Sequence, residues 1–286
     1  MITKPAVASG YRHEQVDLVR ATSLYVTTKL GDIMDELVIV GGLVPSLIIP
    51  QESLAAGVDP HVGTLDLDVG MALAVLDHQR YQELTLRLRR AGFAQDINEE
   101  NKRTNQRWII AGPGTASVTV DFLIQPSLPG DRGGRLRNIE QGFAAVITPG
   151  LELAFRDREH IHLCGSTIFG ERAERDVWVC GPGAFVVLKA LAFRSRGENK
   201  DAYDLFYCVK NYGRGVDDVC RHLSPLMDSE YAQDAVRILR QDFTAHDSLG
   251  PRRVADFVSG GPDADMQADV VGYVDGLLKK LETAAP

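Results

Sequence analysis

The chain has 286 residues, 44% hydrophobic and 24% charged, with a formal net charge of −8 at pH 7. That is enough apolar material to bury a sizeable core, in one large domain or two. The acidic balance argues against broad electrostatic binding to nucleic acid, and no apolar run is long enough to cross a bilayer.

Helical spacing of Val16, Val19, Val26 and Leu30 predicts a first helix over His13 to Leu30. Leu37-Val38-Ile39-Val40 reads as a short buried strand stopped by Gly41-Gly42, with a helix from Leu43 that tolerates Pro45 in its first turn. Gly63 to Ala72 reads as the second strand. Asp77 is placed to cap a helix that runs to about Arg90 and ends at Gly92. Further strands are expected at Arg107–Ala111, Ser117–Ile124, Ala144–Thr148, Leu151–Phe155, His160–Leu163 and Asp176–Val179. Gly112-Pro113-Gly114, Pro129–Gly134 and Pro149-Gly150 punctuate them.

After Gly181-Pro182 the period becomes helical, over Ala184–Ser195, Asp201–Asn211, Val216–Leu223, Tyr231–Phe243 and Met266–Leu281, with Gly260-Gly261-Pro262-Asp263 as a break. The expectation is an α+β fold: residues 1–180 as a mixed β-sheet with flanking helices, and 181–286 as a mainly helical domain. Cys164, Cys180, Cys208 and Cys220 form no C-x-x-C pair, so they read as reduced thiols. Met1-Ile2-Thr3-Lys4-Pro5 lacks an apolar signal core, and a cytoplasmic protein without membrane contact is expected. The basic clusters Arg87/Arg89/Arg90, Lys102/Arg103/Arg107 and Arg132/Arg135/Arg137 read as solvated faces or loops.

Chemistry concentrates in Thr64-Leu65-Asp66-Leu67-Asp68-Val69. Side chains alternate along a strand, so Asp66 and Asp68 project from one face while Leu65, Leu67 and Val69 turn to the core. Two such carboxylates repel, and a divalent cation between them relieves the repulsion; oxygen ligands of this kind suit Mg²⁺ or Mn²⁺ shared with substrate phosphates. An exposed edge strand with two solvated aspartates is the competing reading. Gly41-Gly42, about twenty-five residues earlier, is a turn where backbone can approach a ligand and the following helix start can face phosphate. On Ser117–Ile124, Asp121 lies opposite the apolar face of Val118, Val120, Phe122 and Ile124, where it can complete a metal cluster and accept a proton from an attacking hydroxyl.

The pattern Val40-Gly41-Gly42, Thr64-x-Asp66-x-Asp68 and a third strand aspartate resembles the nucleotidyltransferase superfamily related to DNA polymerase β. More narrowly, it resembles the AbiEii/AbiGii-type toxins, which include the MenT toxins. The segment from Pro182 to Arg194, followed by Lys200-Asp201-Ala202-Tyr203-Asp204-Leu205, is similar to that family's P-x-x-h-x-x-x-K-x-x-A…R…K-D-x-x-D-L region. The similarity runs from about residue 35 to 210. The chain departs from it at Val62, where members often carry Arg, and in a long Gly42–Asp66 gap containing Pro50, Gly57 and Pro60.

The resemblance implies a nucleotidyltransferase fold and transfer of a nucleoside monophosphate from a triphosphate to an acceptor hydroxyl. The acceptor it suggests is a tRNA 3′ end, with an antitoxin protein as partner. The expected catalytic set is Asp66, Asp68, Asp121 and Lys189, with Asp66, Asp68 and Asp121 as metal ligands. The expected nucleotide-binding set is Gly41, Gly42, Ser46, Thr64, Lys189, Lys200 and Asp201. From the residues alone, Lys189 sits on an apolar helix face and either reaches an anion or snorkels to water. Asp201 and Asp204 share a helix face, and pairing with Arg194 or Arg196 is equally open. His61 precedes the D-x-D strand and reads as incidental. The same fold with a protein side chain or small compound as acceptor, or a catalytically silent binding domain, remains an alternative.

Overall fold

The computed structural model describes residues 4–54, 56–72, 78–98, 100–112 and 117–284. Helix α1 (His13–Leu30) leads through a short turn to β1 (Leu37–Val40), whose aliphatic side chains are all buried. A 3₁₀ turn at Gly41–Leu43 passes into α2 (Val44–Ile48), then β2 (Asp66–Met71) and α3 (His78–Arg90) follow. Next come β3 (Ala94–Ile97), β4 (Arg103–Ala111), β5 (Ser117–Ile124), β6 (Leu136–Glu140), β7 (Phe143–Ile147), the one-turn helix α4 (Leu153–Arg156), β8 (Arg158–Ser166) and β9 (Arg172–Cys180). From Pro182 onward the elements are helical: α5 (Pro182–Arg196), α6 (Asn199–Asn211), α7 (Val216–Leu223), α8 (Glu230–Asp242), α9 (Leu249–Ser259) and α10 (Ala264–Ala284).

The nine strands form one mixed sheet in the order β3-β4-β5-β2-β1-β9-β8, with β7 joined to the end of β5 and β6 to β7. β2 is central, antiparallel to β1 and parallel to β5. Leu67, Val69 and Met71 are buried, as are Val118, Val120, Phe122 and Ile124. The alternation that buries these residues sends Asp66, Asp68 and Asp121 to the opposite face.

Several expectations are corrected. Leu151–Phe155 is not a strand; residues 153–156 make one helical turn, closed by the Asp157 N–H on the Leu153 carbonyl. A short apolar run suits either state, and here Leu153 and Ala154 of the helical turn are buried, with Leu151 buried just before it. The unexpected α9 carries Gly250-Pro251 directly after Leu249, in its first turn, where proline is tolerated. Strands β3 and β6 add to the expected set; β3 is half exposed and β6 largely polar, so neither shows a buried-strand pattern. The second strand starts at Asp66 rather than Gly63. Asp77 and the Pro113-Gly114 break lie outside the described residues. Among the described residues, no helix is long and apolar enough to cross a membrane.

Candidate active site

Asp68 on β2 pairs in register with Asp121 on β5, and Asp66 lies two residues before it on the same face. One carboxylate oxygen from each of the three falls within 4.8 Å of the others. Adjacent parallel strands thus assemble from distant segments what no single strand holds. On the other side of β2, Val40 is the register partner of Asp68, which brings the glycine turn over the same carboxylate. Gly41 has φ +75°, and a Cβ there would overlap the Asp68 side chain. A Cβ on Gly42 would press on Thr64 and approach Lys200 Nζ. The glycines are therefore required first by the site's own side chains. The following helix is only five residues long, too short for the phosphate-facing helix start expected from the sequence.

Two of the three acids already have cationic partners. Asp66, 5% exposed, accepts the Thr64 hydroxyl at 2.8 Å on Oδ1 and the Lys4 ammonium at 2.8 Å on Oδ2. Burial alone would raise the Asp66 carboxyl, but Lys4 and the Thr64 hydroxyl outweigh it and the net direction is down. Asp121 is gripped by the Arg107 guanidinium, Nε to Oδ1 at 2.8 Å and the terminal nitrogen to Oδ2 at 2.5 Å. Arg107 is the register partner of Asp121 across β4 and β5, so it is not the solvated basic residue expected. Among the described residues, the Asp68 carboxylate has neither a hydrogen-bond nor an ion-pair partner. Burial first, then the Asp66 and Asp121 charges, push it up to about 7. An orphaned carboxylate between two others is a donor set suited to a hard divalent cation, so Mg²⁺ or Mn²⁺ fits the residues present.

A second polar cluster lies where α5 meets α6. Lys189, buried on α5, places Nζ 3.0 Å from Asp201 Oδ1 and 2.6 Å from Asp204 Oδ2. Arg196 grips Asp201 through Nε at 2.6 Å and its terminal nitrogen at 2.8 Å, and Lys200 reaches Asp204 Oδ1 at 2.7 Å. Burial opposes the charge on Lys189, yet the Asp204 and Asp201 carboxylates hold its pKa above the usual range. Burial likewise pushes Asp204 up, and the Lys189 and Lys200 ammoniums reverse this to well below the carboxylate range. Of the two open readings of Lys189, an anion is met, and it is internal.

His61 belongs to this cluster rather than being incidental. It is buried, its ring stacked 5.4 Å from Tyr203, with Nε2 2.9 Å from Asp204 Oδ1. The Gly63 N–H donates to Nδ1 at 3.0 Å, which assigns the ring proton to Nε2 and the Asp204 bond to it. Ser46 Oγ lies 3.2 Å from the same Nδ1, so it supports the histidine. The long Gly42–Asp66 segment is tied down by these contacts and by the Tyr207 hydroxyl, which donates to the Asp59 carbonyl at 3.1 Å. The Val62 N–H donates to the Tyr203 hydroxyl at 3.3 Å.

Both clusters border one cavity of about 270 Å³. Gly41, Asp68, Lys189 and Arg196 all line it, and Leu123, Ile147, Phe185 and Leu188 contribute apolar walls. The structure thus brings together Gly41, Gly42, Thr64, Asp66, Asp68 and Asp121, and places Lys189, Lys200 and Asp201 against them through Gly42 and the cavity. Ser46 stands apart, behind His61. Nothing local in the sequence marks Lys4 as a partner of Asp66, and only strand register shows that Arg107 faces Asp121.

No family model matches the chain, and no curated protein matches it. Among solved structures, it is similar to an antigenic nucleotidyltransferase-like protein from Paracoccidioides brasiliensis, with 17% identity and a TM-score of 0.41, over 78% of this chain and 88% of that one. A likeness at that level leaves the chemistry of the chain to be read from its own residues.

Proposed function

We propose that this protein is a metal-dependent nucleotidyltransferase that moves a nucleoside monophosphate from a nucleoside triphosphate to an acceptor hydroxyl. The observation that carries the reading is the cluster of Asp66, Asp68 and Asp121 on adjacent strands, with Asp68 lining a cavity shared with Lys189 and Arg196. Asp66, Asp68 and Asp121 would hold Mg²⁺ or Mn²⁺, which when bound would neutralise charge on the phosphates. Asp121, aligned by Arg107, would accept the proton of the acceptor hydroxyl as its oxygen bonds to the α-phosphorus and pyrophosphate leaves. Gly41 leaves room for the Asp68 carboxylate, and Thr64 donates a hydrogen bond to that of Asp66. Lys189 and Arg196 supply positive potential at the cavity wall, and orientation of the reacting groups contributes the rest. In this reading residues 181–286 form a helical domain that closes the cavity over the sheet.

The resemblance to AbiEii/AbiGii-type toxins suggests a tRNA 3′ end as acceptor and a cognate antitoxin as partner, in the cytoplasm. The net charge of −8 instead favours a protein side chain or a small hydroxylated compound. One observation supports a silent nucleotide- or partner-binding domain: Lys189, Lys200 and Arg196 are all paired with carboxylates of the chain itself.

The test is incubation with each α-labelled nucleoside triphosphate, Mg²⁺ and total tRNA, beside an Asp66→Ala/Asp68→Ala double variant. Label moving into tRNA only with the intact aspartates supports the transferase and its acceptor. Label on protein selects AMPylation-type chemistry. Nucleotide binding without transfer to tRNA, protein or small hydroxylated compounds selects the silent domain.

A further inference from the structure

The N-terminal arm, residues 4–11, lies over the carboxylate cluster. Its turn is closed by the Gly10 N–H on the Val7 carbonyl at 3.1 Å and the Tyr11 N–H on the Ala8 carbonyl at 3.0 Å. Tyr11 anchors it: the ring meets Phe257 of α9 edge-on at 5.8 Å and lies under Lys200 Nζ at 5.5 Å. From that anchor the chain returns to place Lys4 Nζ 2.8 Å from Asp66 Oδ2. The Lys4 side chain is 43% exposed while that of Asp66 is 6% exposed, so the cation can leave and the carboxylate cannot follow it into water.

We infer that Lys4 is a tethered competitor for the divalent cation, holding Asp66 while no metal is bound and having to withdraw before the three-carboxylate cluster can close on one. The inference rests on the metal reading above. An ammonium and a divalent cation cannot both occupy hydrogen-bond distance of the same buried oxygen without strong repulsion. With Lys4 seated, Asp66 offers a metal only the oxygen that already accepts the Thr64 hydroxyl, beside an ammonium that repels the ion, and the apparent affinity for metal is scaled down to the fraction of molecules in which the arm is withdrawn. The arm is anchored by Tyr11 rather than by Lys4, so loss of the ammonium releases the site without unpacking the anchor. Tethering also keeps the competitor at a high local concentration, which free salt does not dilute. The site so built discriminates against weakly binding cations: only one whose affinity exceeds the Lys4–Asp66 pair enters.

Mn²⁺ binding, followed by the paramagnetic resonance of the free ion and by titration calorimetry, tests this on the full chain. Lys4→Met is expected to bind Mn²⁺ about tenfold more tightly than the wild type, if the arm is seated in about nine molecules of ten. Lys4→Arg keeps the charge and is expected to keep the weak affinity, and Lys29→Met controls for net charge. In parallel, amine acylation read by mass spectrometry is expected to label Lys4 faster when Mn²⁺ is added, and in Asp66→Asn without metal. Equal or weaker Mn²⁺ affinity in Lys4→Met, or Lys4 labelling that ignores bound Mn²⁺, overturns the inference. If Asp68→Asn still abolishes binding in that case, the metal reading stands. Absence of Mn²⁺ binding in both wild type and Lys4→Met overturns the metal reading and the inference together.

Discussion

Gly41 and Asp68 occupy one another's space: the Asp68 carboxylate lies where a side chain on residue 41 would begin. The contact follows from the Val40–Asp68 register of β1 and β2 and from the positive φ of Gly41. Gly41→Ala is therefore expected to combine backbone strain with displacement of Asp68, lowering stability by about 2–4 kcal/mol and Mn²⁺ affinity at least tenfold. Gly57→Ala is the control, because its φ is also positive but its Cβ direction is open. A denaturant titration that finds the two variants equally stable would show that overlap with Asp68 contributes nothing.

Asp68 itself is expected to oppose folding. It is a carboxylate without a partner among the described residues, between two other acids. Asp68→Asn removes one of three clustered charges and should leave the metal-free protein as stable or more stable, by about 1 kcal/mol or more. The same variant should lose the rise in Tm that Mn²⁺ produces in the wild type. Measuring Tm with and without Mn²⁺ separates the two effects. A clear destabilisation of the metal-free variant would refute the assignment.

Asp204 is where the helical half is most sensitive. Its buried carboxylate faces Lys189, Lys200 and His61 at once. Asp204→Ala leaves two ammoniums without that carboxylate and is expected to destabilise by about 3–5 kcal/mol in urea unfolding. Asp201→Ala should be milder, because Arg196 is partly exposed and recovers water while Lys189 keeps Asp204. Equal effects from the two variants would remove Asp204 from its central place.

His61 sets a pH dependence whose sign follows from its burial. Burial pushes the ring down to about 4 from its ordinary 6.5, against the opposing pull of Asp204. The unfolded chain therefore takes a proton near pH 6.5 and the folded chain only near 4. Between these values the unfolded state binds more protons, so stability falls as pH drops through that window, by about 3 kcal/mol in all, and is flat above it. His61→Gln retains a donor towards Asp204 and should lose that part of the slope between pH 7.5 and 4.5. An unchanged slope would mean that other groups produce it.

What the sequence could determine was local. The alternation of Thr64–Val69 and Ser117–Ile124 put the three aspartates on polar strand faces, and the glycine pair after an aliphatic strand marked the turn beside them. Helical period after Pro182 placed Lys189, Asp201 and Asp204 on helix faces. Two elements were not legible: residues 153–156 are too short and apolar to choose between helix and strand, and Gly250-Pro251 in the first turn of α9 hides its helical period.

Partnership was decided only by the tertiary structure. That Asp121 sits beside Asp68 rather than elsewhere on the sheet is a matter of the β2–β5 register. That Arg107 grips Asp121 depends on the β4–β5 register, and that Lys4 reaches Asp66 depends on an arm anchored through Tyr11 on α9. His61 meets Asp204 across 143 positions of chain. Charges carry no local periodicity that names their partners. A buried ion must nevertheless be paired, so long-range packing selects which opposite charge it meets.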